Sequence, residues 1–220
     1  DLSNPIAICP LPSTVFFPQT VLPLHIFEPR YRKMISDVQA GNRLIGMVLL
    51  APGWENSYYE KPETVQIGCV GRVDKIVSLP DGKFNIELTG LSRFKIIEEI
   101  TGEPYRRANV DFLTEINDGK SDEELAKKAK TQFSEWVRIH PKIKSSPNNP
   151  LKLIEQASVL SEVIDKIVYG LDLKTEQKQS ILEETDVEKR ANFILTELDI
   201  KLRLLKFSQS VPESFNARLN

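Results

Sequence analysis

Residues able to do chemistry are few in this chain, and their spacing does not suit a reaction. Ser92 and Lys95 stand three apart, the spacing of a serine–lysine nucleophile pair. That pair works on a helix, where residues three apart share a face. Here the surrounding run, Phe84 to Ile100, begins with strand-like alternation, which turns the two side chains to opposite faces. Gly41 and Gly46 have the glycine spacing of a phosphate-binding loop, but Met47 stands where the phosphate needs a lysine. The two histidines, His25 and His140, lie far apart and outside any metal-binding spacing. His25 is expected to be hydrogen-bonded near the turn before Glu28, and His140 to sit at an exposed helix end. Cys9 and Cys69 each lie in an apolar run without paired spacing, so two buried reduced thiols are expected. Nothing supplies a nucleophile with a base and an orienting third group. The expectation is a chain with no catalytic residue, no cofactor and no metal.

Composition narrows the partners. The 220 residues carry a net charge of -2, which gives no general attraction to nucleic acid or to an anionic membrane. The basic residues cluster only weakly, at Arg106–Arg107 and at Lys127, Lys128 and Lys130, without interleaved aromatic residues for stacking bases. No apolar run approaches the roughly 20 residues that a membrane helix needs. Few cysteines and no signal-peptide pattern point to the cytoplasm. One feature suits binding. Trp54, Tyr58 and Tyr59 fall in a turn-rich stretch over residues 51–63. Large aromatic residues in a loop offer much apolar contact area at low entropic cost, so these three are candidate polypeptide contacts. The competing expectation is that they fold back onto the core.

Two kinds of element must position these residues. Prolines at 5, 10, 12, 18 and 23 punctuate an apolar segment that suits short edge strands and turns. Pro29 fits the first turn of a helix whose stripe is Tyr31, Met34, Ile35 and Val38, ending near Gly41. Strands are expected over Leu44–Leu50, Val65–Leu79, Phe84–Ile100 and Tyr105–Ile116, with a hairpin at Pro80-Asp81-Gly82. Several strands with short turns suggest a closed or nearly closed β-barrel. Composition changes near residue 117. Helices are then expected from the capping box at Ser121 and Glu124, along a single stripe from Leu151 to Leu171, from Thr175, and from the capping box at Thr185 and Glu188. About four amphipathic helices with short loops should pack as a bundle. The expected division is a β-rich part over 1–117 and a helical part over 118–220.

These residues also form a recognisable order. Pro10-Leu11-Pro12, Val15-Phe16-Phe17-Pro18 and Leu22-Pro23-Leu24-His25-Ile26-Phe27-Glu28-Pro29-Arg30-Tyr31 resemble the opening of the N-terminal substrate-recognition domain of Lon-type ATP-dependent proteases. Ile67-Gly68-Cys69-Val70, Leu79-Pro80-Asp81-Gly82 and Gly90-Leu91-Ser92-Arg93-Phe94 are similar to that family's later strands and hairpin. In the helical half, Gln179 to Glu183, Asp186-Val187 and Arg190 resemble the approach to its long final helix.

The resemblance implies an α+β fold, a PUA-like β-barrel followed by an α-helical bundle. It implies a non-catalytic module that binds unfolded or degron-bearing polypeptide, with a separate ATPase and protease as a possible partner. The family's ATPase and serine–lysine peptidase motifs are not in this sequence. The alternative is a structural adaptor or self-associating scaffold. The signature residues Pro23, Leu24, Phe27, Glu28, Pro29, Arg30 and Tyr31 are expected to be architectural. The prolines fix the strand's approach to the helix, Phe27 and Tyr31 anchor it, Glu28 sits at the positive helix end, and Arg30 pairs with a carboxylate.

Overall fold

A computed structural model describes residues 4–57, 60–100, 102, 104–116, 122–140 and 150–210. The chain forms two compact units, 1–115 with 172–185, and 116–171 with 186–220. Residues 172–185 therefore belong with the sheet, although they lie in the helical half of the sequence.

The first unit holds six strands: β1 (Ile6–Leu11), β2 (Val21–Ile26), β3 (Leu44–Leu49), β4 (Ile67–Ser78), β5 (Phe84–Ile100) and β6 (Arg106–Phe112). β1 pairs in parallel with β3, and β3–β4, β4–β5, β5–β6 and β6–β1 pair antiparallel, so the ladders return to their starting strand. β2 hangs outside this circuit on β5. Alternation gives the circuit two apolar faces. Ile6, Ile8, Leu44, Val48, Val70, Phe94, Ala108 and Val110 fill one side. Their sequence neighbours point to the other side, where α1 (Pro29–Ala40) contributes Tyr31, Met34, Ile35 and Val38.

Cys9, Met47 and Cys69 stand in one row across β1, β3 and β4, all buried. With β3 between them the two cysteine Cα atoms are about 10 Å apart, beyond disulfide reach. Burial pushes the Cys9 thiol up to about 12, so it stays protonated and unreactive at neutral pH.

In the second unit, α2 (Asp122–Ile139), α3 (Leu151–Glu155), α4 (Leu160–Gly170) and α6 (Val187–Ser210) surround Phe133, Trp136, Leu160, Ile164, Ile167, Ile194 and Leu198. The stripe expected to run unbroken from Leu151 to Leu171 is two helices. The chain is extended at Val159, and the Ser158 amide donates to the Glu162 carboxylate at 3.3 Å, which starts a new helix there. The long helix α6 is capped by Asp186, whose carboxylate accepts the Lys189 amide at 3.1 Å, one residue later than the expected Thr185. Asp165 on α4 and Arg190 on α6 form an ion pair at 3.9 Å, both buried. Ser121 and Pro212, the expected start of α2 and stop of α6, lie outside the described residues.

The return segment carries α5 (Thr175–Glu183), which docks on the sheet by polar contacts. Gln179 Nε2 donates to the Ile67 carbonyl at 3.0 Å, and Arg93 Nε donates to the Leu182 carbonyl at 3.0 Å. Arg93 Nη1 also meets Glu115 at 2.7 Å, with the arginine side chain 1% exposed.

Candidate binding face

On the outer side of β2, β5 and β4 the register aligns exposed and half-buried residues in rows. His25, Asn85 and Val77 form one row; Pro23, Glu87 and Lys75 form the next; Val21, Thr89 and Arg72 form a third. Pro23, Leu24, His25, Lys75, Val77, Asn85, Ile86 and Glu87 line a groove of about 500 Å³. Its polar groups pair with one another. His25 Nδ1 meets Asn85 Oδ1 at 2.7 Å, and Lys75 meets Glu87 at 3.1 Å. Phe27 stacks against the His25 ring, with centroids 6.1 Å apart. Val21, Phe27 and Val77 are three of the four large exposed apolar residues of this unit's described part, with Ile97 the fourth. A solvent-facing sheet surface usually carries polar side chains, so this concentration needs a reason.

β2 is an edge, yet a poor template for strand addition. The Gly90 amide donates to the Thr20 carbonyl at 2.9 Å. By alternation Pro23 then turns its backbone nitrogen away from β5, toward the free edge, where it has no N–H to offer. Side chains, not backbone groups, are what this face presents.

The signature segment is partly architectural. Tyr31 is buried, with its hydroxyl 3.5 Å from the Pro10 carbonyl, and Pro29 opens α1. Arg30 pairs with Glu28 at 2.9 Å and lies 4.7 Å over the Tyr31 ring. Phe27, expected as an anchor, is 58% exposed and belongs to the outer face instead. Because the Arg30–Glu28 pair is about a third exposed, Arg30→Ala should cost no more than about 1 kcal/mol in a thermal melt. A loss of several kcal/mol would show an anchoring role that this geometry lacks.

Trp54 opens a 3-10 turn, Trp54–Ser57, and is half-buried. Tyr58 and Tyr59 lie outside the described residues. Ser92 and Lys95 fall on opposite faces of β5, with the Ser92 hydroxyl donating to the Arg93 carbonyl at 3.1 Å, so no nucleophile pair forms. Arg106 is absorbed by Glu99 and by the Pro62 carbonyl. Lys130 donates to the Ala157 carbonyl. His140 is half-buried against Trp136, at 5.0 Å between centroids, and not the exposed end that was expected. Among the described residues, no three His, Cys, Asp or Glu side chains are placed to hold a metal, and no helix is long and apolar enough to cross a membrane.

The profile of the ATP-dependent protease La (LON) substrate-binding domain matches residues 5–199. The chain belongs to that family. The Lon protease of Flavobacterium johnsoniae is 28% identical over 214 residues, covering 96% of this chain and 26% of the relative. The Lon protease of Anaeromyxobacter dehalogenans is 26% identical over 225 residues, with 100% and 26% covered. This Lon-family chain thus spans about a quarter of the length of the curated relatives it matches. A Lon N-terminal domain protein from Xanthomonas campestris has a similar fold, with a TM-score of 0.65 at 19% identity, covering 88% of this chain and 98% of that one. The N-terminal domain of a Mycobacterium avium complex Lon protease gives 0.66 at 14% identity, covering 89% and 98%. The α+β architecture expected from the sequence is the architecture of these domains.

Proposed function

We propose that this chain is a recognition module that holds unfolded or degron-bearing polypeptide in the cytoplasm for an ATP-dependent protease. In this reading it makes and breaks no bond itself. The observation that carries the proposal is the exposed apolar trio Val21, Phe27 and Val77 on the outer side of β2, β5 and β4, in a chain of the Lon substrate-binding family. Phe27, Val21 and Val77 offer apolar contact, and the internally paired His25–Asn85 and Lys75–Glu87 leave a floor with little net charge. Such a surface favours extended segments with large apolar side chains, which native proteins bury and unfolded ones expose. The loop of Trp54, Tyr58 and Tyr59 is proposed as a second contact.

Fluorescence anisotropy with a labelled protein, compared in its native and permanently unfolded forms, tests this. The unfolded form should bind and the native form should not. Phe27→Ser/Val77→Ser should weaken binding at least about tenfold, a loss of roughly 1.4 kcal/mol. Trp54→Ser/Tyr58→Ser/Tyr59→Ser should abolish binding without unfolding the protein. Unchanged affinity in both variants would end the proposal.

A further inference from the structure

Arg32 carries a charge that the fold leaves unmatched. Arg30, Arg72, Arg93 and Arg106 of the same unit each meet a carboxylate, on Glu28, Asp74, Glu115 and Glu99. The Arg32 side chain is half-buried, yet it has no hydrogen-bond or ion-pair partner among the described residues. Its guanidinium lies against the hairpin between β4 and β5. Nη2 is 2.3 Å from the point where a Cβ on Gly82 would stand, so a side chain at that turn would displace it. Pro29, Arg32, Lys33 and Ser36 share one face of α1, at spacings of three, one and three. With Gly82 and Phe84 they line an open cleft of about 500 Å³.

The chemistry of the cleft selects its occupant. Lys33 pairs with Asp37, and Lys83 on the hairpin pairs with Asp81, so those four charges cancel and Arg32 remains. A guanidinium offers its N–H donors in a planar fork that fits the two oxygens of one carboxylate. A phosphate dianion would need a second free cation beside it. Pro29 and Phe84 add apolar walls next to the charge. The last residue of a polypeptide presents both features, a carboxylate and a side chain branching from the same carbon. In an Asp or Glu side chain the carboxylate is itself the tip. The cleft also adjoins the proposed binding face. Ile26 pairs with Phe84, and Phe27 is two residues from Pro29, at most about 7 Å along the chain. A segment held at Phe27 therefore needs about three more residues to round the end of β2 and reach Arg32.

We propose that the cleft between α1 and the β4–β5 hairpin binds the C-terminal carboxylate of a polypeptide, with Arg32 as its counter-ion and Pro29 and Phe84 against the last side chain. This role rests on the chain being a polypeptide receptor, and it narrows what is received. A segment that ends in a free carboxylate on an apolar residue binds better than the same segment inside a longer chain. Because the cleft is open to water, the preference is about tenfold and not absolute.

Fluorescence anisotropy of the whole chain with a short N-terminally labelled peptide ending in Leu-Phe, as free acid and as C-terminal amide, tests this. The acid should bind about tenfold tighter than the amide. Arg32→Gln should erase the difference, leaving both peptides at the affinity of the amide. Its melting temperature should not change, because the guanidinium it removes has no bonded partner. Arg32→Lys should keep part of the preference, since an ammonium retains the charge and loses the fork. Equal binding of acid and amide by the parent chain would overturn the proposal, as would a preference that survives Arg32→Gln. An amide carrying an internal Glu that binds as tightly as the acid would overturn the terminal assignment, and so would displacement of the acid by inorganic phosphate at concentrations where acetate has no effect. If acid and amide bind alike but Phe27→Ser/Val77→Ser weakens both, polypeptide binding stands and only the role of Arg32 falls. If the parent chain captures no unfolded protein, both fall.

Discussion

Arg93→Ala is expected to lower stability by about 3–5 kcal/mol, the cost typical of breaking a buried ion pair. Arg93 is the second-largest fully buried side chain among the described residues, after Trp136. Its guanidinium serves two groups at once. Nη1 holds Glu115, the last residue of the first unit's leading segment, and Nε holds the carbonyl of Leu182 at the end of α5. Alanine removes both contacts. Glu115 is 24% exposed on its side chain and regains water, but the Leu182 carbonyl loses its donor. The loss should therefore concentrate at α5. Amide exchange at residues 178–183 should accelerate more than exchange in β1 or β3. Arg93→Lys should recover only part of the stability, because one ammonium cannot reproduce the two-ended fork. A melt within 1 kcal/mol of the parent, or loss of protection spread evenly over the unit, would refute this role.

Arg93 also marks where the sequence stops being legible. An arginine beside Phe94 in a strand reads locally as a solvent-facing residue, since arginine is rarely buried without a partner. Its partners are Glu115, 22 residues away, and Leu182, 89 residues away. No local pattern joins them. The same limit hides the assignment of residues 172–185 to the sheet unit, because α5 looks like one more helix of the helical half.

The strands were legible for the opposite reason. Alternation, Gly82 with φ +75 in the hairpin turn, and Pro29 at the start of α1 are local signals. Leu151 to Leu171 misled because apolar residues keep a helical spacing across the Ser158–Val159 break. Phe27 misled because an aromatic residue in an apolar run is usually core. The proposed binding face was hidden too, since Val21 and Val77 come onto one side of the sheet only when β2 and β4 flank β5.

Gly90→Ala is expected to cost about 3 kcal/mol or more, at the upper end of what an overfilled core tolerates. A Cβ at this position would stand 2.1 Å from the Phe17 carbonyl oxygen and 2.9 Å from its carbonyl carbon. Both are backbone atoms, so no rotamer change relieves the overlap. The two segments are also hydrogen-bonded there. The Gly90 amide donates to Thr20 at 2.9 Å, and the Gln19 amide donates to the Gly90 carbonyl at 3.0 Å. Any outward shift of the 17–20 segment would break those bonds and lift Phe16 and Phe17, both buried, from the sheet. That segment leads directly into β2, which carries Val21, Pro23 and His25 of the proposed binding face. Gly90→Ala should thus couple two losses, a lower melting temperature and weaker capture of unfolded polypeptide. Gly102→Ala is the control. Its added Cβ meets no atom within 4 Å, and its only strain is a backbone φ of +108. It should cost about 1 kcal/mol and leave binding unchanged. If Gly90→Ala melts like Gly102→Ala, the close crossing at Phe17 does not set the position of β2.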